Sequence, residues 1–369
     1  MPSELRVDKV SSTASPYDPV FSTTGGALSH RNLIINGAMQ VSQRGTSASS
    51  VTSSQYLCDR WEYETIGEET VTLSQSTDSP SGFSNSFKVE ITSADSDVIA
   101  SDYAAVKQVI EAQNLQHLKY GSSGAETITL SFHVKSSVAG TYAVGLEHGE
   151  TTSYNSKTYS ISSANTWEKK TVTFTGNTAT AINNDNGAGL HVSFALTAGT
   201  SYTTGSNGAW GAITNWLANH AVNVIGTANA TFFITGVQLE LGSVATPFEH
   251  RSYGDELARC QRYYVRYTNG HLANGYMYNT TYITCGIHFP VAMRAAPTKE
   301  EAKTGSNLAR VYRSGSGYYN DITHIDAIYG VTTLGCAMDD DGQVSGTAGS
   351  GCRMDLHSGS TVSFTAEIA

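Results

Sequence analysis

Residues 229–264, NATFFITGVQLELGSVATPFEHRSYGDELARCQRYY, decide the fold. Val237, Leu239 and Leu241 share one parity while Gln238 and Glu240 take the other, the period-2 pattern of a half-buried strand. Pro247 ends it. Ser252 then suits a helix N-cap with Asp255 near the third position, and Leu257, Cys260, Gln261 and Tyr264 follow at helical spacing. One β domain closes here and a second begins.

Upstream, residues 31–250 read as a β-rich domain. The stretch 127–136 alternates with Ile128, Leu130, Phe132 and Val134 inward, and 190–196 does so with Leu190, Val192, Phe194 and Leu196. Residues 142–146, 170–174 and 231–241 add further strands, separated by clusters such as NNDNGAG at 183–189. Trp210, Ile213, Trp216 and Leu217 carry helical spacing, and 104–118 admits either helix or strand. The pattern predicts an all-β chain built on a sandwich or jelly roll. Residues 251–264 form a linking helix, and 265–369 a smaller β domain closed by a strand over 361–368 (Val362, Phe364, Ala366). Residues 1–30 read as an extended arm: Leu5 and Val7 alternate with Arg6 and Asp8, then Pro16, Pro19 and Gly25-Gly26 forbid a regular element. Such an arm buries its apolar side only against a neighbour.

Composition limits the function classes. The 369 residues exceed one ordinary core, given ~150 residues per domain. Charged residues make up 15%, against about 25% in soluble proteins generally, so polarity rests on hydroxyls and amides. The net charge of −10, with no basic run, argues against a nucleic-acid partner. No stretch approaches the ~18 apolar residues of a membrane helix, and MPSELRVDKV lacks the apolar core of a signal peptide. Synthesis in a cytoplasm, with the five Cys as reduced thiols, is the expectation.

Beyond these physical readings, ITGVQLELGSVATPFE followed by YGDELARCQRYY resembles a module of tail-fibre and other virion proteins of tailed bacteriophages. NLIINGAMQVSQRGTS at 32–47, Asp59-Arg60-Trp61, the strand pair TLSFHVKSSVAGTYAV at 129–144 and NTWEKKTVTF at 165–174 resemble it in the same order. ITCGIHFPVAMRAAPT at 283–298 resembles the C-terminal part of the same proteins, with a Met-Arg-Ala-x-Pro turn. The module is similar in turn to carbohydrate-binding jelly rolls. The resemblance implies a virion appendage, most simply a homotrimeric tail fibre that docks on other phage proteins through residues 1–30 and contacts host surface glycan. Head-decoration or neck fibres and fibre adaptors are the alternatives it leaves open, and a virion-borne glycan-degrading enzyme is a further rival.

Candidate chemistry is sparse. Glycoside hydrolysis needs two carboxylates ~5–10 Å apart across a cleft. Glu62 with Glu64, and Glu147 with Glu150, are the pairs on offer, and each reads as solvated carboxylates, so no enzyme is expected. Asp339-Asp340-Asp341 before Gly342 concentrates hard oxygen ligands suited to a structural Ca²⁺, without the spacing of an EF-hand. Cys285-Gly-Ile-His288 suggests zinc, but on a strand positions 285 and 288 face opposite ways. Sugar recognition stacks aromatic faces on the ring, flanked by hydrogen-bonding amides and carboxylates. Tyr276 and Tyr278, and Tyr318 and Tyr319 with Asn320 and Asp321, lie among Gly and Asn in the C-terminal domain and are the candidate contacts. Trp61 with Tyr63, and Trp210 with Trp216, read as core.

Overall fold

The computed structural model describes residues 30–313 and 319–368. The arm over residues 1–29, and Tyr318, lie outside the described residues.

The first domain holds strands β1 (Ser47–Val51), β2 (Gln55–Tyr56), β3 (Glu62–Ile66), β4 (Thr70–Ser76), β5 (Ser86–Ser93), β6 (Tyr103–Glu111), β7 (Ile128–Ser136), β8 (Gly140–His148), β9 (Tyr154–Ile161), β10 (Glu168–Phe174), β11 (Ala188–Ala198) and β12 (Thr231–Leu241). They form two six-stranded antiparallel sheets, in the orders β1-β4-β5-β12-β7-β10 and β2-β3-β6-β11-β8-β9. This is a jelly-roll sandwich. Alternation builds its core: Leu130, Phe132 and Val134 from one sheet meet Val192, Phe194 and Leu196 from the other, all fully buried. The rings of Phe132 and Phe194 meet at 5.0 Å across the sandwich, each burial contributing about 2–3 kcal/mol. Residues 104–118 resolve into both readings, β6 followed by a 3₁₀ turn over Ala112–Leu118.

Two expectations change. The strands at 129–144 are consecutive, yet β7 and β8 lie in different sheets, because residues 137–139 cross the sandwich instead of turning a hairpin. The strand over 231–241 is buried on both faces rather than half-buried: Gln238 is 0% and Glu240 2% exposed. Its polar face is roofed by the segment after it. Thr246 donates its backbone N–H (2.8 Å) and hydroxyl (2.6 Å) to the Glu240 carboxylate, and Glu249 N–H donates to Gln238 at 2.7 Å. Residues 32 and 33 complete the cover. Asn32 donates to Val237 O and accepts from Leu239 N–H, both at 3.1 Å.

The linking helix Tyr253–Gln261 is capped as expected, the Ser252 hydroxyl accepting the Asp255 N–H at 3.2 Å. It buries Glu256 and Cys260 rather than Leu257, because Glu256 accepts the N–H of Asn36 at 2.5 Å.

The second domain holds β13 (Tyr264–Met277), β14 (Tyr282–His288), β15 (Thr298–Ala302), β16 (Ala309–Arg313), β17 (Tyr319–Ile322), β18 (Ala327–Tyr329), β19 (Gly335–Asp341) and β20 (Gly351–Thr365). They form one sheet in the order β17-β16-β20-β13-β14-β19-β18, with β15 also pairing β20. The closing strand contains the expected Val362 and Phe364, both fully buried, but begins ten residues earlier, at Gly351.

Candidate functional site

The second sheet covers its core with one face only. Met277, Ile283, Cys285, Ile287, Val311, Met338, Met354 and Leu356 point into that core, so alternation sends their neighbours outward. Register then aligns those neighbours. Tyr319 stands opposite Tyr312, Tyr312 opposite Arg353, Arg353 opposite Asn274, Asn274 opposite Gly286, Gly286 opposite Ala337, and Ala337 opposite Tyr329. One row thus runs across seven strands and ends in tyrosine on both sides. A neighbouring row joins Asp321, Arg310, Asp355 and His271. Tyr276, opposite Thr284, begins a third that leads to Asp339.

The face is open: Tyr276 is 48%, Tyr278 66%, Tyr319 49% and Tyr329 55% exposed. Its charges are organised. Arg310 grips Asp321 with two hydrogen bonds of 2.6 and 2.9 Å, which hold the Asp321 carboxyl below its ordinary pKa. The Arg310 guanidinium lies 4.1 Å over the Tyr319 ring, and that of Arg353 lies 4.7 Å over Tyr312. Arg353 also pairs with Asp355 at 2.8 Å. Such stacking fixes the rings' orientation while leaving their outer faces free.

Of the residues expected to contact a ligand, Tyr276, Tyr278, Tyr319 and Asp321 therefore come together on this face. Asn320 does not. It points to the other side, where its carbonyl accepts from Arg313 and from Ser345 N–H. The Asp triplet also separates. Asp339 accepts from the Tyr282 hydroxyl at 2.6 Å and Asp341 from Thr281 at 3.1 Å, while Asp340 turns inward and is 0% exposed. Strand alternation prevents the three from converging, and among the described residues no group of three or more His, Cys, Asp or Glu could hold a metal ion. Cys285 is buried and His288 exposed, on opposite faces of β14. Tyr312, Arg310, Arg353 and His271 were missed. The alternation of Arg310 and Tyr312 in ARVYR was a legible signal, but their partners lie on other strands.

A second concentration of charge occupies the outer face of the sheet containing β3, β6, β11 and β8. Lys107 Nζ lies 2.7 Å from Glu64 and 3.4 Å from Glu62, and His191 lies 3.5 Å from Glu147. Burial lowers the His191 pKa to about 3, so the imidazole is neutral. Tyr103, Tyr202 and Trp216 pack edge to face beside this strip, with centroids 4.9–5.4 Å apart. Glu62 and Glu64 both serve one lysine, which leaves neither free as an independent acid or base. Glu150 points elsewhere, accepting from Asn183 N–H at 3.2 Å.

No protein-family model matches the chain, and no curated protein matches it in sequence. Among solved structures it is similar to the enzymatically active domain of tailspike protein 4 of bacteriophage CBA120, at 15% identity and a TM-score of 0.32, over 57% of this chain and 21% of that one. The chain thus spans about a fifth of that tailspike structure's length. It is similar to a CBM4 carbohydrate-binding module at 14% identity and a TM-score of 0.30, over 56% of this chain and 97% of that one. It is also similar to the family 11 carbohydrate-binding module of a cellulosomal cellulase of Clostridium thermocellum, at 13% identity and a TM-score of 0.27, over 53% and 99% of the two chains. All three are distant likenesses.

Proposed function

We propose that this chain is a structural protein of a tailed-phage virion, a tail fibre whose tip is the open face of the second sheet and whose ligand is host surface glycan. The observation that carries the reading is the row of tyrosine, arginine and asparagine across seven strands, exposed at both ends. Tyrosine faces stack on the C–H surfaces of sugar rings, and Arg353, Asn274, His271 and Asp355 offer donors and acceptors to the hydroxyls. An open, solvent-exposed face suits weak side-on contacts, multiplied when several copies engage one cell. The virion setting and the trimer rest on the sequence resemblance, and adhesion requires no catalysis.

The test is binding of the purified full-length protein to intact bacteria and to a panel of extracted surface polysaccharides, beside the double variant Tyr276→Ala/Tyr319→Ala. Binding by the parent that falls more than about tenfold in the variant, as expected from two lost stacking contacts, supports the tip. Equal binding by both moves the contact elsewhere, with the strip at Glu62, Glu64, Lys107 and Glu147 next. A well-folded oligomer that binds nothing is an adaptor or a decoration fibre.

A further inference from the structure

The core beneath the open face is rich in sulfur. Met277, Met293, Met338 and Met354 line it together with Cys285, Cys336 and Cys352. Gly275, on the central strand β13, stands opposite Cys285 on one side and Cys352 on the other. Because Gly275 has no side chain, the two thiols reach across it, and their Sγ atoms lie 3.7 Å apart. A Cβ at that position would come within 2.8 Å of the Cys285 Sγ. The sequence spacing of 67 residues gives no hint of this pair.

The two thiols are not joined: both cysteines are free, and their sulfurs stand well beyond the ~2.05 Å of a disulfide bond. A metal ion held between the sulfurs needs no closer approach. Two bonds of ~2.3 Å span a 3.7 Å separation at a bent angle that leaves room for a third donor. Met338 is directly opposite Cys285, and Met277 and Met354 share the same inward face, all three 0% exposed. Thiolate and thioether donors select soft cations over Ca²⁺ or Mg²⁺.

We infer that Cys285 and Cys352, with Met338 as third donor, form a binding site for one soft monovalent cation of the Cu(I) class. Binding releases both thiol protons to solvent and involves no change of oxidation state. The way in is at Cys352, which is 8% exposed. A bound ion ties β14 to β20 across the intervening strand and so stiffens the sheet that carries the open face.

The experiment is an anaerobic titration of full-length protein with Cu(I) against a colorimetric Cu(I) chelator, followed by alkylation and peptide mass spectrometry. One equivalent retained, with Cys285 and Cys352 alone protected from alkylation, is the expected result. Cys352→Ser should weaken retention by more than about tenfold, while Cys336→Ser leaves it unchanged. Failure to retain Cu(I), protection of other cysteines, or undiminished retention by Cys352→Ser overturns the inference. So does a disulfide between positions 285 and 352 in folded, air-exposed protein. The protection pattern in the parent protein decides the matter even if the Cys352 variant does not fold, and none of these outcomes depends on glycan binding.

Discussion

The guanidinium of Arg60 lies 3.5 Å over the ring of Tyr263. Its charge is met by the carboxylate of Glu367, near the end of the chain. Arg60 belongs to the Asp59-Arg60-Trp61 segment, Tyr263 to the end of the linking helix segment, and Glu367 to the tail after β20. Neighbouring contacts follow the same pattern. Gln43 accepts from Arg266 at 3.0 Å and donates to Tyr264 O at 2.7 Å. Arg294 of the Met-Arg-Ala-Ala-Pro segment donates to Ala366 O at 2.8 Å and accepts from Asn186 at 2.7 Å. Asp59-Arg60-Trp61, Gln43 of the 32–47 segment, the residues closing the linking helix and the Met-Arg-Ala-Ala-Pro turn therefore meet at the seam between sandwich and second sheet, while 129–144 and 165–174 lie within the sandwich. The segments at the seam clasp two domains together.

The clasp makes a prediction about cooperativity. Arg60 is 1% and Glu367 9% exposed, and breaking a buried pair by removing one partner costs about 3–5 kcal/mol, whereas replacing both with apolar groups is far milder. Arg60→Met should lower stability by about 3 kcal/mol and split one calorimetric transition into two. Arg60→Met/Glu367→Leu should recover much of the loss. A single unshifted transition in Arg60→Met would show that the domains are coupled by something else.

Asn36 and Gly37 should be the least replaceable residues of the segment 32–47. The Asn36 φ of 56° is left-handed, a region Asn tolerates better than most residues. Its side chain donates to Val41 O (2.8 Å) and Asp59 O (2.9 Å) and accepts from Val41 N–H (3.0 Å). Asn36→Ala strands three buried backbone groups, a loss of about 3 kcal/mol or more. At the next position, a Cβ on Gly37 would fall 2.1 Å from Val237 O, so Gly37→Ala should fail to yield soluble protein. Urea unfolding and expression yield check the two.

Much of this fold was legible wherever one strand's own alternation decided it. Leu190, Val192, Phe194 and Leu196 are all fully buried, and Ser252 caps the helix as its spacing requires. What escaped was set by distant chain. Gln238 and Glu240 look solvent-facing because nothing local shows that residues 243–249 will fold back over them. The burial of Glu256 has no local signal either, because its partner, Asn36 N–H, is 220 residues away. The site shows the same division. Tyr276 and Tyr319 could be nominated by residue type and setting, but the row joining them exists only through the register of strands that no local pattern fixes.

The exposed tyrosines should be dispensable for folding. Tyr276 and Tyr319 are each about half exposed, and surface substitutions of this kind usually change stability by no more than about 0.5 kcal/mol. Tyr276→Ala and Tyr319→Ala should therefore match the parent in urea midpoint. A large loss would mean that these rings are packed against a further subunit in solution, and sedimentation of the parent protein would then show the oligomer.

Asp340 gives the chain a pH dependence of known sign. Burial, reinforced by Asp326 and Asp341, raises its pKa from 3.8 to about 6, against the opposing hydrogen bond from Gln343. The folded state therefore favours the protonated acid. Between pH 3.8 and about 6 it binds more protons here than the unfolded chain does, so this group's contribution to stability falls as pH rises through that window. Above about 6 the buried carboxylate carries its full penalty. Asn at this position keeps an acceptor for Gln343 and never ionises. Asp340→Asn should be more stable than the parent by about 1–3 kcal/mol at pH 7.5, with the difference closing towards pH 4. Thermal midpoints of both proteins across that range are the check. A difference that stays constant with pH would mean that Asp340 does not titrate in the window, and that its carboxylate is solvated by water entering beside Gln343.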